Sequence, residues 1–193
     1  MSDRVFFPFM FLVGCLLTFL AISPFSTRLP TGAFSAAGRE NVRDMTVKGM
    51  DLHRMAGGPV GTIYPIGEGE NLTLEIALEE KDAYNEPLYG PYLTLEADIE
   101  NIYSDKKLRV IITARTANTK PAVEFQTAYV SDAGTDSGWK TYVLSQDFQE
   151  YAFEYHTPPT GLNVGYDYIA IRPVAETKER RVEIQSIRLQ MLN

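Results

Sequence analysis

The sequence has few of the side chains on which enzyme and metal sites most often depend. Of its 193 residues one is a cysteine, two are histidines and one is a tryptophan. The cysteine is Cys15, so the chain after it has no thiol for a nucleophile, a disulfide or a Cys-ligated zinc site. His53 and His156 are far apart in sequence, and neither belongs to a ligand motif. We therefore predict a protein that is not an enzyme and has no cofactor or metal.

The sequence also has fewer basic than acidic residues. The chain carries 18 Lys and Arg against 25 Asp and Glu, and residues 44–193 hold 14 of the former and 23 of the latter, a formal charge of −9. Nucleic acids and anionic lipid surfaces are bound by basic patches. The charge balance therefore excludes nucleic acid as an expected partner. It leaves neutral glycans and basic protein surfaces open.

Long apolar runs are absent except for one at residues 5–22, which holds 18 uncharged residues. As a helix it would be about 27 Å long, close to the hydrocarbon thickness of a bilayer. A cleaved signal peptide is the alternative, but its apolar core is shorter, and the nearest small-residue cleavage position here is followed by Pro24. The run predicts an uncleaved signal-anchor, with residues 1–4 as a short tail and residues 5–22 as a transmembrane helix.

The residues that flank this run set its orientation only weakly. Arg4 and the terminal amine on one side oppose Arg28 and Arg39 on the other, so the positive-inside rule compares nearly equal counts. A short tail before one long domain is the usual signal-anchor arrangement. We predict a single-pass protein of a bacterial inner membrane with its C-terminal domain outside the cytoplasm. Residues 23–43, rich in Ser, Pro, Thr, Gly and Ala, are predicted to be a linker.

Residues 44–193 alternate between apolar and polar side chains with a period of two in many short stretches. Clear examples are residues 72–79, 92–100 and 108–116. This period is typical of strands with one face on a core and one in water. Further strands are predicted at residues 123–130, 139–144, 151–156, 166–172 and 182–191, the last with a bulge near Gln185 and Ser186. Eight to ten short strands predict an all-β domain, a β-sandwich and most simply a jelly roll.

Several of these stretches resemble carbohydrate-binding modules with a galactose-binding-like jelly roll, particularly those attached to xylanases. The resemblance rests on residues 90–117, 137–142, 148–156, 168–173 and 182–189. It implies a jelly-roll domain that binds glycans without catalysis. Many members of that group hold a structural calcium with an acidic residue in the last strand. Gln185 and Ser186 occupy that place here, so no calcium site is predicted.

Glycan recognition combines flat aromatic faces with nearby polar side chains. Tyrosines border the loop at residues 85–88, arginines lie on the polar side of the strand at 108–116, and acids lie on the polar side of its predicted hairpin neighbour. The candidate contacts are Tyr89, Tyr92, Glu96, Asp98, Arg109, Arg115 and Trp139. The alternative for the charged residues is a solvated sheet with cross-strand ion pairs, and for Trp139 it is packing against the sandwich.

Taken together, the sequence predicts a membrane-anchored, non-catalytic domain that binds a glycan at the cell envelope. The same sandwich acting as a protein-interaction or scaffolding module of a membrane assembly is the alternative. A glycoside-acting enzyme is a third hypothesis, since it would need only two carboxylates across a cleft.

Overall fold

The computed structural model describes residues 3–22, 29–78, 86–132, 134–161, 165–175 and 179–192, and in the first helix the side chains of residues 6–18. The helices are α1 (Asp3–Ile22) and α2 (Ala97–Tyr103). The strands are β1 (Asp44–Lys48), β2 (Met55–Ala56), β3 (Gly61–Ile66), β4 (Thr73–Leu78), β5 (Tyr92–Leu95), β6 (Lys107–Thr116), β7 (Glu124–Val130), β8 (Lys140–Val143), β9 (Gln149–His156), β10 (Asp167–Pro173) and β11 (Arg180–Met191).

The N-terminal helix α1 begins two residues before the apolar run and ends with it, at Ile22. Pro8 is the sixth residue of this helix, and its ring removes one backbone hydrogen bond there. Within the described part of the chain, no helix has both the length and the apolar character needed to cross a membrane. The transmembrane role of residues 5–22 stays a prediction.

The strands form two antiparallel sheets. The six-stranded sheet has the order β3-β4-β11-β6-β9, and β1 pairs with β11 outside this path. The β4 strand pairs with residues 180–184 of β11, and β1 pairs with residues 186–190. The five-stranded sheet has the order β2-β5-β10-β7-β8. The predicted all-β sandwich is therefore confirmed for the described residues.

The core lies between the two sheets and is built from the inward half of each alternating strand. The six-stranded sheet contributes Ile76, Val110, Ile112, Ile184, Ile187 and Leu189, and the five-stranded sheet contributes Leu93, Leu95, Phe125, Tyr129, Ile169 and Ile171, all fully buried. Burial of each such side chain stabilises the fold by about 1.5–3 kcal/mol before chain entropy is counted. The period-two pattern thus predicted the inward faces correctly.

The long strand β11 keeps its apolar side chains inward by means of an irregularity. Its pairing with β6 shifts register between Ile184 and Ser186, so one extra residue is accommodated there. Ile184 and Ile187 both face the core as a result, although they are three residues apart. The bulge predicted near Gln185 and Ser186 is confirmed.

One stretch of alternating residues, 92–100, is not a single strand. β5 ends at Leu95, and α2 begins at Ala97. Ile99 and Tyr103 are four residues apart and fully buried, because residues at this spacing share one face of a helix. The prediction of strand for residues 97–100 was wrong: the short alternating pattern also fits the first turn of a helix.

Part of the segment predicted to be a linker, 23–43, packs against the sandwich. Phe34 is fully buried in the core. Its N–H donates to the carbonyl oxygen of Thr94 at 2.8 Å, and its own carbonyl accepts from the Glu96 N–H at 2.9 Å. The Arg39 guanidinium lies 4.1 Å above the Phe34 ring. Residues 23–28 of the predicted linker lie outside the described residues.

Candidate functional site

Arg109 and Arg115, two of the predicted glycan contacts, lie on the outer surface of the six-stranded sheet. Arg115 Nε donates to Glu183 Oε2 at 2.8 Å, and its guanidinium also lies 4.5 Å from the Phe148 ring centroid. Arg109 faces Glu154 directly across the β6–β9 pair. Both arginines are thus set against acidic partners within the same surface.

Further ion pairs continue across this surface, which we call the ion-pair face. They join Arg188 to Asp44, Arg181 to Glu75, Lys107 to Glu154 and Arg115 to Glu183. The hydrogen bond from Arg188 holds the pKa of Asp44 below its ordinary value. The more exposed pairs, such as Lys107 with Glu154, contribute only about 0–1 kcal/mol each, whereas the carboxylates of Glu75 and Glu183 are buried. The arrangement matches the alternative given for these residues, a sheet surface with cross-strand ion pairs.

Glu96 and Asp98 do not share a surface with these arginines, so the predicted common face was wrong. β5 and β6 belong to different sheets, and α2 connects them. Glu96 occupies the N-cap position of α2, where its carbonyl accepts from the Ile99 and Glu100 N–H groups. Asp98 accepts from Ser35 Oγ at 2.7 Å and from the Ala36 N–H at 2.9 Å. Its carboxylate therefore fastens the N-terminal segment to α2.

Replacement of Asp98 by alanine should lower the free energy of unfolding without changing glycan affinity. The substitution leaves the Ser35 hydroxyl and the Ala36 N–H without this acceptor, and hydrogen bonds to a charged group contribute about 1.5–3 kcal/mol. Urea denaturation of the full chain measures the first effect, and a binding titration measures the second. If glycan affinity falls by more than the fraction of unfolded protein explains, Asp98 contacts the glycan.

The outer surface of the five-stranded sheet has a different character and brings other candidates together. We call it the aromatic face and define it by Tyr92, Gln126, Ala128, Trp139, Tyr168, Ala170 and Arg172. Ala170 lies opposite Tyr92 on one side and Ala128 on the other. The two alanines place only methyl groups in the middle of the sheet, and both are fully buried, at 0% and 1% exposure, so the larger side chains around them cover this part of the surface.

Two tyrosines form one part of this face. The rings of Tyr92 and Tyr168 meet edge to face, with centroids 5.6 Å apart and an interplanar angle of 88°. Partial burial raises the pKa of the Tyr168 hydroxyl, with a smaller contribution from Asp132. Edge-to-face contact fixes both rings at little cost in conformational entropy. The pair is therefore a rigid aromatic part of this surface.

Trp139 and Arg172 form the other part of the face. The Arg172 guanidinium lies 3.9 Å from the Trp139 ring centroid, and its Nε donates to Gln126 Oε1 at 2.9 Å. Burial lowers the pKa of Arg172. The indole is half-buried and does not belong to the core cluster between the sheets. It lies just before β8, where the alternation of that strand directs it outward with Thr141.

The face continues along β10 beyond Tyr168. Tyr166, two residues earlier, has 49% of its surface exposed. Because a strand rises about 3.3 Å per residue, the distance from position 166 to position 172 is about 20 Å. Tyr89 is 38% exposed and lies just before β5. The exposed aromatic side chains therefore follow a strip and do not gather in one spot.

Buried acids lie beneath one end of this strip. Asp167 accepts a hydrogen bond from the Tyr129 hydroxyl at 2.5 Å and another from the Asp132 N–H at 3.1 Å. Glu100 accepts from the Gly165 N–H at 2.8 Å. Burial raises the pKa of both carboxyl groups. Among the residues that the structure describes, no three His, Cys, Asp or Glu side chains are grouped to hold a metal ion.

These raised pKa values predict how stability changes with pH. In the window between the folded pKa and the lower unfolded pKa, the folded state binds more protons, so the free energy of unfolding falls as pH rises through it. Urea denaturation of the full chain at several pH values should therefore show a component of stability that increases from pH 7 toward acid. Replacement of Asp167 by asparagine should reduce this component. An unchanged pH slope in that variant would contradict the assignment.

Comparison with known proteins gives a fold and no family. No protein-family model and no curated protein sequence matches the chain. The CBM22-1–CBM22-2 tandem domain of Xyn10C from Paenibacillus barcinonensis matches with a TM-score of 0.51 and 10% identity, over 77% of this chain and 46% of that one. The CBM22-2 xylan-binding domain of the same protein matches with a TM-score of 0.50 and 9% identity, over 77% of this chain and 99% of that one.

Identities this low show a shared fold. The resemblance to carbohydrate-binding jelly rolls inferred from the sequence is thereby confirmed for the architecture. Of the seven predicted contacts, Tyr92 and Trp139 belong to the aromatic face, and Tyr89 lies next to it in sequence. Tyr168 and Arg172 were not among the predicted contacts, because residues 166–172 have apolar residues on both faces and therefore predict a central strand, with Tyr168 in the core or at its margin. The sequence feature that could have identified them is their spacing: positions 168, 170 and 172 are two residues apart and therefore face the same side of the strand.

Proposed function

We propose that the sandwich domain binds an extended glycan along its aromatic face. The observation that carries this proposal is that Tyr92, Tyr168 and Trp139 share one outer sheet surface. Aromatic faces pack on the apolar C–H surfaces of sugar rings, and Gln126 and Arg172 offer polar groups for hydroxyls. The strip of about 20 Å favours an oligosaccharide over a single sugar.

Charge supports a neutral or weakly charged glycan. The formal charge of residues 44–193 is −9, which disfavours strongly anionic polymers. The two solved domains compared above belong to a protein whose CBM22-2 module is a xylan-binding domain. Xylan is therefore the first ligand to test, together with other neutral β-linked glycans.

The proposed activity is binding without catalysis. Glycoside hydrolysis requires two carboxyl groups on opposite sides of the scissile bond, about 5 to 10 Å apart. Among the outward-facing strand residues of the five-stranded sheet, the carboxylate is Glu124, two residues from Gln126, and one carboxylate does not meet this requirement. Asp167 and Glu100 are buried beneath the aromatic face and are occupied by hydrogen bonds from Tyr129 and Gly165.

We further propose that α1 anchors the chain in a membrane and that the domain lies outside the cytoplasm. Support comes from the uncharged run at residues 5–22 and from the side chains that α1 exposes. Phe7, Phe11 and Leu12 have 68%, 73% and 67% of their surfaces exposed. Side chains this apolar are stable in contact with lipid rather than water. A bacterial inner membrane with the domain at the cell envelope fits this arrangement.

A protein-interaction role is the second candidate, and one observation favours it. Val143, at the end of β8, is 66% exposed, and Val123, whose carbonyl accepts from the Leu144 N–H at 2.8 Å, is 72% exposed. Exposed apolar residues at the edge of a sheet can mark a contact surface. Stoichiometric co-purification of a partner that Val143→Asp abolishes would support this role over glycan binding.

Affinity electrophoresis of the detergent-solubilised full chain tests glycan binding. We expect gels that contain xylan, or another neutral β-glycan of the panel, to retard the protein relative to gels without polysaccharide. The Arg109→Ala variant should be retarded equally, since Arg109 lies on the ion-pair face. Equal mobility in all polysaccharide gels and in the blank would contradict the proposal.

A further inference from the structure

A groove of about 550 Å³ lies beside the point where the described chain resumes after α1. Its lining is mostly aliphatic: Leu29, Met50, Pro65 and Leu72, with Gly67 and Gly69. His53 and Glu68 supply its polar atoms. Leu29 is 51% exposed, and Ile66, next to Pro65 in β3, is 40% exposed. The groove therefore has an apolar interior and further apolar surface next to it.

Two 3-10 helices, Gly49–Arg54 and Gly69–Asn71, contribute residues to this lining. They approach so closely that a Cβ on Gly49 would come within 2.8 Å of the Gly69 carbonyl oxygen, and Gly49 has a positive φ of 54°. Both constraints require glycine at this position. The groove is thus a consequence of the local backbone geometry and not of a loose loop.

The lining chemistry suits a flexible hydrocarbon better than a sugar. Among the described residues that line the groove none is Phe, Tyr or Trp, the side chains on which sugar rings most often stack. Aliphatic side chains give close contact with an alkyl chain of any local conformation. A volume of about 550 Å³ falls within the range of specific small-molecule sites, roughly 300–1,000 Å³.

The chain length places this groove near the end of α1. Six residues separate Ile22 from Leu29, so the seven intervening steps reach at most about 25 Å even when fully extended. If α1 lies in a bilayer, the Leu29 side of the groove is within that distance of the end of the anchor. This limit allows the groove to lie against the membrane surface, where the lipids around α1 are the nearest source of hydrocarbon.

We propose that this groove binds an acyl chain of a membrane phospholipid and so holds the domain against the bilayer surface. The inference rests on the proposed anchoring by α1, but not on glycan binding. The negative charge of the domain disfavours an anionic headgroup, so the expected ligand is a zwitterionic lipid. Docking through Leu29 would fix the orientation of the aromatic face relative to the membrane.

Photolabelling of the full chain tests the proposal. The protein is reconstituted into phosphatidylcholine vesicles that contain phosphatidylcholine with a diazirine in its acyl chain, irradiated, and mapped by mass spectrometry. We expect lipid adducts on α1 and also on Leu29 and Met50. Met50→Glu should reduce the groove adducts roughly tenfold, because a carboxylate is costly in an apolar site. Met50→Leu should retain them, and both variants should keep the adducts on α1.

The adducts on α1 separate the two possible failures. Labelling of α1 without labelling of the groove overturns this inference and leaves the anchoring intact. The absence of adducts from both overturns the anchoring and this inference with it. Equal groove labelling in Met50→Glu, or equal labelling at the exposed Val143, shows non-specific contact and also overturns the inference. If a second copy of the chain occupies the groove, it excludes the probe. Lipid adducts then form on α1 but not in the groove, which overturns this inference.

Discussion

Replacing Trp139 by alanine should weaken glycan binding about 30-fold. The indole is the largest ring of the aromatic face and is held by the Arg172 guanidinium 3.9 Å away. Loss of an aromatic anchor at the centre of a binding surface costs about 2 kcal/mol or more, and 1.4 kcal/mol corresponds to a factor of about ten. A binding titration of the full chain with the glycan selected by affinity electrophoresis measures the change.

Tyr64 provides a matched control on the ion-pair face. It is 40% exposed, and the Arg181 guanidinium lies 4.7 Å from its ring centroid. Tyr64→Ala therefore removes a comparable ring and a comparable cation–π contact, but we expect it to leave glycan affinity unchanged. Equal losses in both variants, or no loss in Trp139→Ala at unchanged stability, would contradict the assignment of the site.

Replacing Phe34 by alanine should lower the free energy of unfolding by about 3 kcal/mol, since truncation of a buried phenylalanine costs about 3–5 kcal/mol. Phe34 is fully buried, although it lies in a segment predicted from composition to be a linker. For a domain of this size the loss corresponds to a drop in Tm of roughly 6–12 °C. Thermal and urea unfolding of the full chain measure both quantities.

Leu29→Ala is the control for this second prediction. Leu29 lies in the same N-terminal segment but is 51% exposed, so its truncation should change the free energy of unfolding by less than about 0.5 kcal/mol. Similar small effects for both variants would mean that the N-terminal segment contributes nothing to the stability of the sandwich. The hydrogen bonds of Phe34 to β5 argue against that outcome.

The fold was predictable because its strands repeat one local rule. Each strand of the core buries alternate side chains. Residues 72–79 and 108–116 therefore predicted β4 and β6, and no predicted strand end differs from the observed one by more than one residue. The bulge in β11 was visible as a change of phase between Ile184 and Ile187. Local periodicity carries this information even when no related sequence is at hand.

Contacts between elements that are far apart in sequence were harder to predict. The acids at positions 96 and 98 follow β5 in sequence, which predicted a hairpin with β6, but α2 carries the chain from one sheet to the other. Composition predicted a linker up to residue 43, because Ser, Pro, Thr, Gly and Ala are frequent in it and its core contacts Phe34, Ala36 and Val42 do not follow a strand or helix period. Pairing between distant strands depends on the whole fold, which no local pattern determines.

In the candidate site, too, single residues could be predicted from sequence, but their spatial neighbours could not. Tyr92 and Trp139 were predicted as aromatic contacts, and the structure places both on the aromatic face, where their contact with a glycan stays a prediction. Their neighbours Tyr168 and Arg172 come from β10. The apolar residues on both faces of residues 166–172 predict a central strand, and β10 does lie at the middle of the five-stranded sheet, but this pattern does not show which of its side chains reach the outer surface.

The indole of Trp139 allows the central claim to be tested directly, since the chain has no other tryptophan. A titration of the full chain with the selected glycan is followed by the NMR resonance of the indole Nε1–H. Binding on the aromatic face predicts a saturable shift with the same midpoint as the affinity measurement. A glycan that binds the protein and leaves this resonance unmoved would contradict the account.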